Sequence, residues 1–320
     1  MPILTSFGAL SSRAFRAFNS TFGGAGFVAL GNNATGLFST NGATWQTTTL
    51  PISANWAACA YGNGKYVAIA GGTASASNVA MYSTDGIHWI QSTLPSSVYW
   101  TSIAFGGGVF VAVAGTVAVA GTTTSKTTIA AYSSDGINWT QTTMPSSRGW
   151  STVGYGNGVF VAVTNDSSGV GAYSTNGGQT WTSVTLPVTS AYYGVAYGNG
   201  YFVTQANQVV YYSTNNGATW STGVSGSING NVIAYGANNF VIGSSESPFI
   251  EYTSSPTTLI TNVTSSVSFG IYTNCLVRGK SSFAAIGYNT NYAAYSADGI
   301  NWATVILPIT GYWACIAAAT

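Results

Sequence analysis

Catalysis needs ionisable or nucleophilic side chains in company, and this chain of 320 residues holds few of them. Its carboxylates are Asp85, Asp135, Asp166, Asp298, Glu246 and Glu251, and its one histidine is His88. Two facing carboxylates could hydrolyse a glycosidic bond, yet no spacing brings Asp166 to Glu246. His88 stands in Tyr82-Ser83-Thr84-Asp85-Gly86-Ile87-His88-Trp89, in a slot that Asn138 and Asn301 fill in sister phrases. That makes it a variant on a turn surface rather than a general base. No Ser/His/Asp arrangement is supported, and no glycine-rich stretch opens a helix as a phosphate loop must. Cys59, Cys275 and Cys315 lack metal-type spacing. Their neighbours, Ala57-Ala58-Cys59-Ala60-Tyr61 and Trp313-Ala314-Cys315-Ile316-Ala317, suit small core residues on strands. Neither catalysis nor a metal or cofactor is expected.

Composition narrows the classes further. Only 4% of residues are charged, against about 25% in ordinary domains. Aromatics at 14% and 40 glycines rule out a disordered chain and suit a tightly turned β protein. A formal charge of +1, with Arg13, Arg16, Lys65, Lys126, Arg148, Arg278 and Lys280 mostly scattered, offers no footprint for nucleic acid. The longest apolar stretch, Val109 to Gly121, is too short for a membrane helix, and its alternating β-branched residues suit a strand. The start, Met1-Pro2-Ile3-Leu4-Thr5, lacks the basic opening of a signal peptide, so synthesis in a cytoplasm is expected.

Two phrases recur in step. The first is Tyr-Ser-x-Asp-Gly-Ile-x-Trp at 82–89, 132–139 and 295–302, with looser copies at 38–45, 173–181 and 212–220. Its tryptophans, Trp45, Trp89, Trp139, Trp181 and Trp220, are 44, 50, 42 and 39 residues apart. Glu251-Tyr252-Thr253-Ser254-Ser255-Pro256 fills the gap before Trp302 in worn form. The second phrase is Tyr61-Gly62-Asn63-Gly64-Lys65-Tyr66-Val67, repeated from Phe105, Tyr155 and Tyr197, more loosely from Phe22 and Tyr235, and weakly from Arg278. Each phrase counts seven. Every unit reads as an inner apolar strand, a Gly-Asn-Gly turn, a second strand, a variable loop, a third strand ending at Tyr-Ser, an Asp/Asn-Gly turn, and an outer strand beginning at the Trp. Four strands in 40–50 residues predict an all-β, seven-bladed β-propeller with antiparallel blades. A parallel β-helix is the rival, with coils that are usually shorter.

The Ser-x-Asp-Gly-x-x-Trp phrase resembles the Asp box, or BNR repeat, of sialidases and many other propellers. Most copies are one residue tighter than that family's pattern, while those at Asn176 and Asn215 match it more closely. The resemblance implies a turn between the third and fourth strands, remote from any active site. Asn41, Asp85, Asp135, Asn176, Asn215 and Asp298 are then expected to accept backbone hydrogen bonds inside their own turns. Asn in half the copies suits hydrogen bonding and removes any need for charge. A sialidase-like site would require an arginine cluster and a Tyr–Glu pair, which the four arginines and two glutamates do not supply.

Binding is expected on the face that carries the long loops and the crossings between blades. The crossings share a phrase: Leu94-Pro95 to Trp100, Met144-Pro145 to Trp150, Leu186-Pro187 to Tyr192, Leu307-Pro308 to Trp313 and Leu50-Pro51 to Trp56. Proline is expected to stop the outer strand. The aromatic that follows, Trp56, Trp100, Trp150, Tyr192 or Trp313, opens the inner strand at the central mouth. These rings either pack as core between blades or serve as platforms for sugar rings. Tyr99, Arg148, Tyr193 and Tyr312 beside them are the better candidates for solvent-facing contact.

The segment Trp313 to Thr320 repeats the inner-strand phrase with no blade after it, so it is expected to pair into the first blade and close the ring. Phe15 to Thr21 is a rival for that slot, and residues 1–12 form an N-terminal arm before a single propeller of residues 13–320. Thr5-Ser6-Phe7-Gly8-Ala9-Leu10-Ser11-Ser12-Arg13-Ala14-Phe15 looks like openings of domains in phage tail and other virion proteins. The expected function is non-enzymatic: a virion tail or decoration protein, present in several copies, that binds surface glycans or neighbouring virion proteins. The alternatives are a cellular lectin and a degenerate glycosidase.

Overall fold

The computed structural model describes residues 24–72, 75–115, 125–227, 230–244, 250–258, 260–262, 273–287 and 289–319. They form seven four-stranded antiparallel sheets, and each sheet is one blade. Blade 2 sets the pattern: Trp56–Gly62, Lys65–Ala70, Ser77–Ser83 and Ile90–Val98, paired in sequence order from the axis outward. The inner strands of blades 3 to 7 are Trp100–Gly106, Trp150–Gly156, Tyr193–Gly198, Val232–Gly236 and Thr273–Arg278. Blade 1 takes its inner strand, Trp313–Ala318, from the far end of the chain, paired antiparallel to Phe27–Gly31. The ring is closed as expected. Residues 1–12 and the rival segment Phe15 to Thr21 lie outside the described residues, as do Arg13, Arg16 and Glu246.

The turn between the first two strands explains its own composition. Asn63 and Gly64 have φ of 47° and 72°, and Asn157–Gly158 and Asn199–Gly200 repeat the pair. Both central residues of such a hairpin need positive φ, which Asn tolerates and Gly adopts freely. The glycine before this turn has a separate task. A Cβ on Gly62, Gly106, Gly156 or Gly198 would lie 2.0, 1.9, 2.0 or 2.1 Å from the ring of Phe105, Tyr155, Tyr197 or Tyr235 in the next blade. So the aromatic-Gly pair of the second phrase is an interlock: each blade's aromatic seats on the bare backbone of the blade before it. Blade 7 places Arg278 in that slot, against Gly236. Its guanidinium lies 4.8 Å from the Phe283 ring centre, as Phe105 lies 4.7 Å from Phe110 and Tyr155 lies 4.8 Å from Phe160. Gly106→Ala should therefore lower Tm by roughly 5 °C, consistent with an overpacking cost of about 1–3 kcal/mol. A calorimetric scan checks this, and an unchanged Tm would remove the interlock.

Hydrophobic burial lies between the blades. Among the described residues there are seven apolar clusters, one for each interface between neighbours. Phe110, Phe160, Phe202, Phe240 and Phe283, one per blade, are fully buried. Each contributes about 1.5–3 kcal/mol relative to exposure. The box tryptophans cross the interfaces: Trp89 packs with Val28 and Ala317 of blade 1, and Trp45 with Ala284 of blade 7.

Proline departs from expectation in three blades. The nine-residue outer strands Ile90–Val98, Thr140–Arg148 and Ala303–Gly311 run through Pro95, Pro145 and Pro308. Each ladder shifts register near its end. An edge strand has a row of N–H groups with no partner, and a bulge takes the imide out of the ladder, so the strand continues. Only in blades 1 and 4 do the outer strands, Gln46–Thr49 and Thr182–Thr185, end before their proline.

Candidate functional site

The box turns fill one face and consume their own polar groups. Asp135 Oδ1 accepts from the N–H groups of Ile137 and Asn138, each at 2.8 Å, and from the Ser133 hydroxyl at 2.9 Å. Its Oδ2 accepts from Asn138 Nδ2 at 2.8 Å. Asp298 and Asp85 repeat the pattern. Asn41, Asn176 and Asn215 use their amide oxygen in the same way. The His88 imidazole takes the place of the Asn138 amide, with Nδ1 2.7 Å from Asp85 Oδ2 and its side chain 86% exposed. The worn sixth box keeps the design: Thr253 is buried in the serine slot, and its hydroxyl donates to the Ser255 carbonyl at 2.6 Å. These residues hold turns.

Their ionisation follows from the same geometry. Burial alone pushes the Asp85 carboxyl up, but hydrogen bonds from His88, Ile87 and Ser83 outweigh it and bring the pKa down to about 2. Asp135 and Asp298 are lowered likewise, against burial, by bonds from Asn138 and Ile137 and from Asn301 and Ile300. A carboxylate whose folded pKa is depressed contributes stability above its unfolded pKa, and that stability is lost as pH falls through the folded value. Tm should hold steady to about pH 5 and fall from about pH 4 toward pH 2. The triple variant D85N/D135N/D298N should flatten that fall, since Asn already serves in three boxes. Identical acid profiles for the variant and the parent chain would contradict this.

The opposite face carries the loops and crossings. Trp100, Trp150, Tyr192 and Trp313, candidates either for the core or for ligand contact, are fully buried there, as is Trp56. The polar atoms of the first four are bonded to backbone carbonyls of the crossings and loops. Trp100 Nε1 donates to the Ser96 carbonyl at 3.1 Å and Trp150 Nε1 to the Ser146 carbonyl at 3.2 Å. The Tyr192 hydroxyl donates to the Val188 carbonyl at 3.1 Å, and burial pushes its pKa up to about 12. Trp313 Nε1 donates to the Thr290 carbonyl at 3.0 Å. Of the two alternatives, packing between blades is the one these four rings adopt, and their place among the ligand contacts is corrected accordingly. Each proline-to-aromatic crossing folds its ring inward as the stopper of a blade interface.

Their neighbours stand outside. Tyr193 and Tyr312 are 37% and 47% exposed, and Tyr99 and Arg148 are half-buried. Tyr292, 44% exposed on the third strand of blade 7, joins this face and was not anticipated. Its strand begins at Thr290, which pairs with Gly311 beside Tyr312. Beneath Tyr193 a cavity of about 270 Å³ opens between blades 5 and 6, lined also by Gln205, Asn207 and Asn231. A second, of about 340 Å³, lies between blades 1 and 2 and is lined by Asn32, Asn55, Ser53, Ser75 and Ser77 among others. Both offer neutral amides and hydroxyls beside small apolar groups.

One charged cluster also sits here. Asp166, with a side chain 1% exposed, lies 3.1 Å from Lys126 Nζ and 3.7 Å from Arg148 Nη1. The two cations remain about a third exposed. Burial would raise the Asp166 carboxyl, but the Ser168 hydroxyl, the Lys126 ammonium and the Gly149 N–H hold it below the usual carboxylate range. The trio clasps blade 3 to blade 4 and leaves a net positive spot on this face. Lys126 and Asp166 lie in loops of unrelated length, so no periodicity marks them. The sequence signal available was the scarcity of charge itself.

Among the described residues, no group of three or more His, Cys, Asp or Glu is placed to hold a metal ion, and no helix is long and apolar enough to cross a membrane.

No protein-family model matches the chain, and no curated protein matches it in sequence. Solved structures match its shape. The streptogramin B lyase structure superposes with a TM-score of 0.61 at 12% identity, covering 89% of this chain and 94% of that one. YCF48 from Cyanidioschyzon merolae gives 0.59 at 14% identity, covering 82% and 88%. YCF48 bound to D1 peptide gives 0.58 at 15% identity, covering 86% and 87%. At such identities the likeness is one of fold, and this fold hosts an enzyme in one neighbour and a peptide complex in another. The chain is a seven-bladed β-propeller.

Proposed function

We propose that this chain is a non-enzymatic adhesion propeller of a virion, a tail or decoration component, that holds surface glycan on its loop face. The observation that carries the reading is the division between the faces. The box face spends its acids and amides on its own turns. The loop face presents Tyr99, Tyr193, Tyr292 and Tyr312 beside amide-lined cavities and the Lys126–Arg148 pair. Aromatic faces stack on sugar rings, amides orient hydroxyls, and the cations suit an acidic sugar. The Asp-box kinship belongs to the same reading, with the boxes as scaffold. The virion assignment rests on the opening segment Thr5 to Phe15 and on the low charge. Action on a substrate is not part of it: His88 and three of the four aspartates are engaged in box turns and Asp166 in a clasp.

A second reading replaces the glycan with an extended segment of a neighbouring virion protein, and the solved complex of YCF48 with a peptide favours it. A glycan array separates the two. The full chain should bind a set of related, preferably acidic, glycans, and Tyr193→Ala and Tyr312→Ala should each weaken binding about tenfold while shifting Tm by less than about 2 °C. Absence of binding across the array, with the chain cross-linked to a neighbouring protein in purified particles, would replace the glycan reading by the second.

A further inference from the structure

The three cysteines, far apart in sequence, come together on the axis. Cys59, Cys275 and Cys315 lie on the inner strands of blades 2, 7 and 1, which are consecutive around the ring. All three line one central channel, a cavity of about 230 Å³ whose other walls are mostly Ala, Val, Ile and Thr side chains. None is in a disulfide. Cys275 Sγ donates to the Trp313 carbonyl at 3.9 Å. Cys315 is instead buried in the apolar cluster between blades 1 and 2, and Cys59 packs against that same cluster from blade 2, whereas Cys275 belongs to the cluster between blades 7 and 1. Cys315 is buried, while Cys59 is partly open to the channel.

The place of this pair gives it a consequence. Trp313–Ala318 is the one inner strand that does not run on into the rest of its own blade, and it is held to the first blade without a chain connection, by its ladder with Phe27–Gly31 and by side-chain packing. We propose that Cys59 and Cys315 form a reversible redox staple that locks the ring when a small dialkyl disulfide enters the channel. The thiolate of Cys59, the more accessible sulfur, attacks one sulfur of the reagent. The reagent's S–S bond breaks, a mixed disulfide forms on Cys59, and one alkyl thiolate leaves and takes a proton. Cys315 then loses its proton and attacks the Cys59 sulfur, expelling the second alkyl thiol. Overall two cysteine thiols are oxidised, one reagent disulfide is reduced to two thiols, and atoms and electrons balance. The resulting loop spans residues 59–315, nearly the whole chain, so the cross-link restricts the unfolded state strongly.

The test uses the full chain with hydroxyethyl disulfide or dithiothreitol. The oxidised protein should lose two hydrogens in its intact mass, yield a Cys59–Cys315 cross-linked peptide on digestion, and melt about 5 °C or more above the reduced form. Cys275→Ser should keep all three changes, and Cys59→Ser and Cys315→Ser should abolish them. The mapping needs only the parent chain, so a variant that fails to fold does not spoil it. A stable mixed disulfide on Cys59 with no cross-link, a cross-link to Cys275, or a Cys59–Cys315 bond that leaves Tm unchanged would each overturn the proposal.

Discussion

A chain ending at residue 312 should fail to fold cooperatively. The truncation removes Trp313, Cys315, Ile316, Ala317 and Ala318, all buried, and takes the inner strand from blade 1. Phe27–Gly31 would then present an unpaired, wholly apolar edge to solvent, the feature that natural sheets avoid. Two of the seven apolar clusters would also lose members, since Trp313 belongs to the one shared with blade 7 and Cys315 to the one shared with blade 2. The stabilisation lost exceeds the 5–15 kcal/mol that holds most domains together. The expected result is a broad thermal transition with aggregation, by calorimetry and size-exclusion chromatography. A soluble monomer with a sharp transition near that of the full chain would show that the ring does not depend on its last strand.

Trp100→Ala should produce the largest loss among single substitutions at the mouth. Its indole is fully buried against Val67, Ile69 and Leu94 of blade 2, and Nε1 caps the Ser96 carbonyl. Truncating an aromatic of this size in a packed interface costs about 3–5 kcal/mol. That corresponds to a fall in Tm of about 10 °C in a domain of this size. Tyr99→Ala, one residue away on the rim, should change Tm by less than about 2 °C. Thermal scans of both variants check the contrast. Equal shifts would mean that the crossing does not sort one ring inward and its neighbour outward.

Much of this architecture is written locally. Asn-Gly turns, inner strands that open on an aromatic, and Ser-x-Asp-Gly turns each act within a few residues, so seven copies announced seven blades and the phrase at Trp313 announced closure. The role of the Tyr-Gly pair was not legible, because the ring that needs Gly106 to be bare is Tyr155, in the next blade. Arg278 in an aromatic slot looked like decay for the same reason; its guanidinium covers the same ground against Phe283. At the site, sequence spacing placed Tyr99, Tyr193 and Tyr312 beside the mouth but left the facing of Trp100, Trp150, Tyr192 and Trp313 open, since a ring at a strand start can turn either way. The meetings of Asp166 with Lys126 and of Cys59 with Cys315 depend on loop lengths and ring closure, which no local pattern encodes.

Under the proposed function, recognition belongs to the loop face while the box acids only hold turns. One measurement sets the faces against each other: glycan binding by Y99A/Y193A/Y312A and by D85N/D135N/D298N, side by side with the parent chain at neutral pH. The first variant should lose at least about 90% of binding with its melting curve nearly intact, and the second should bind as the parent does. Loss of binding in the box variant, with the tyrosine variant unaffected, would place recognition on the other face and contradict the account.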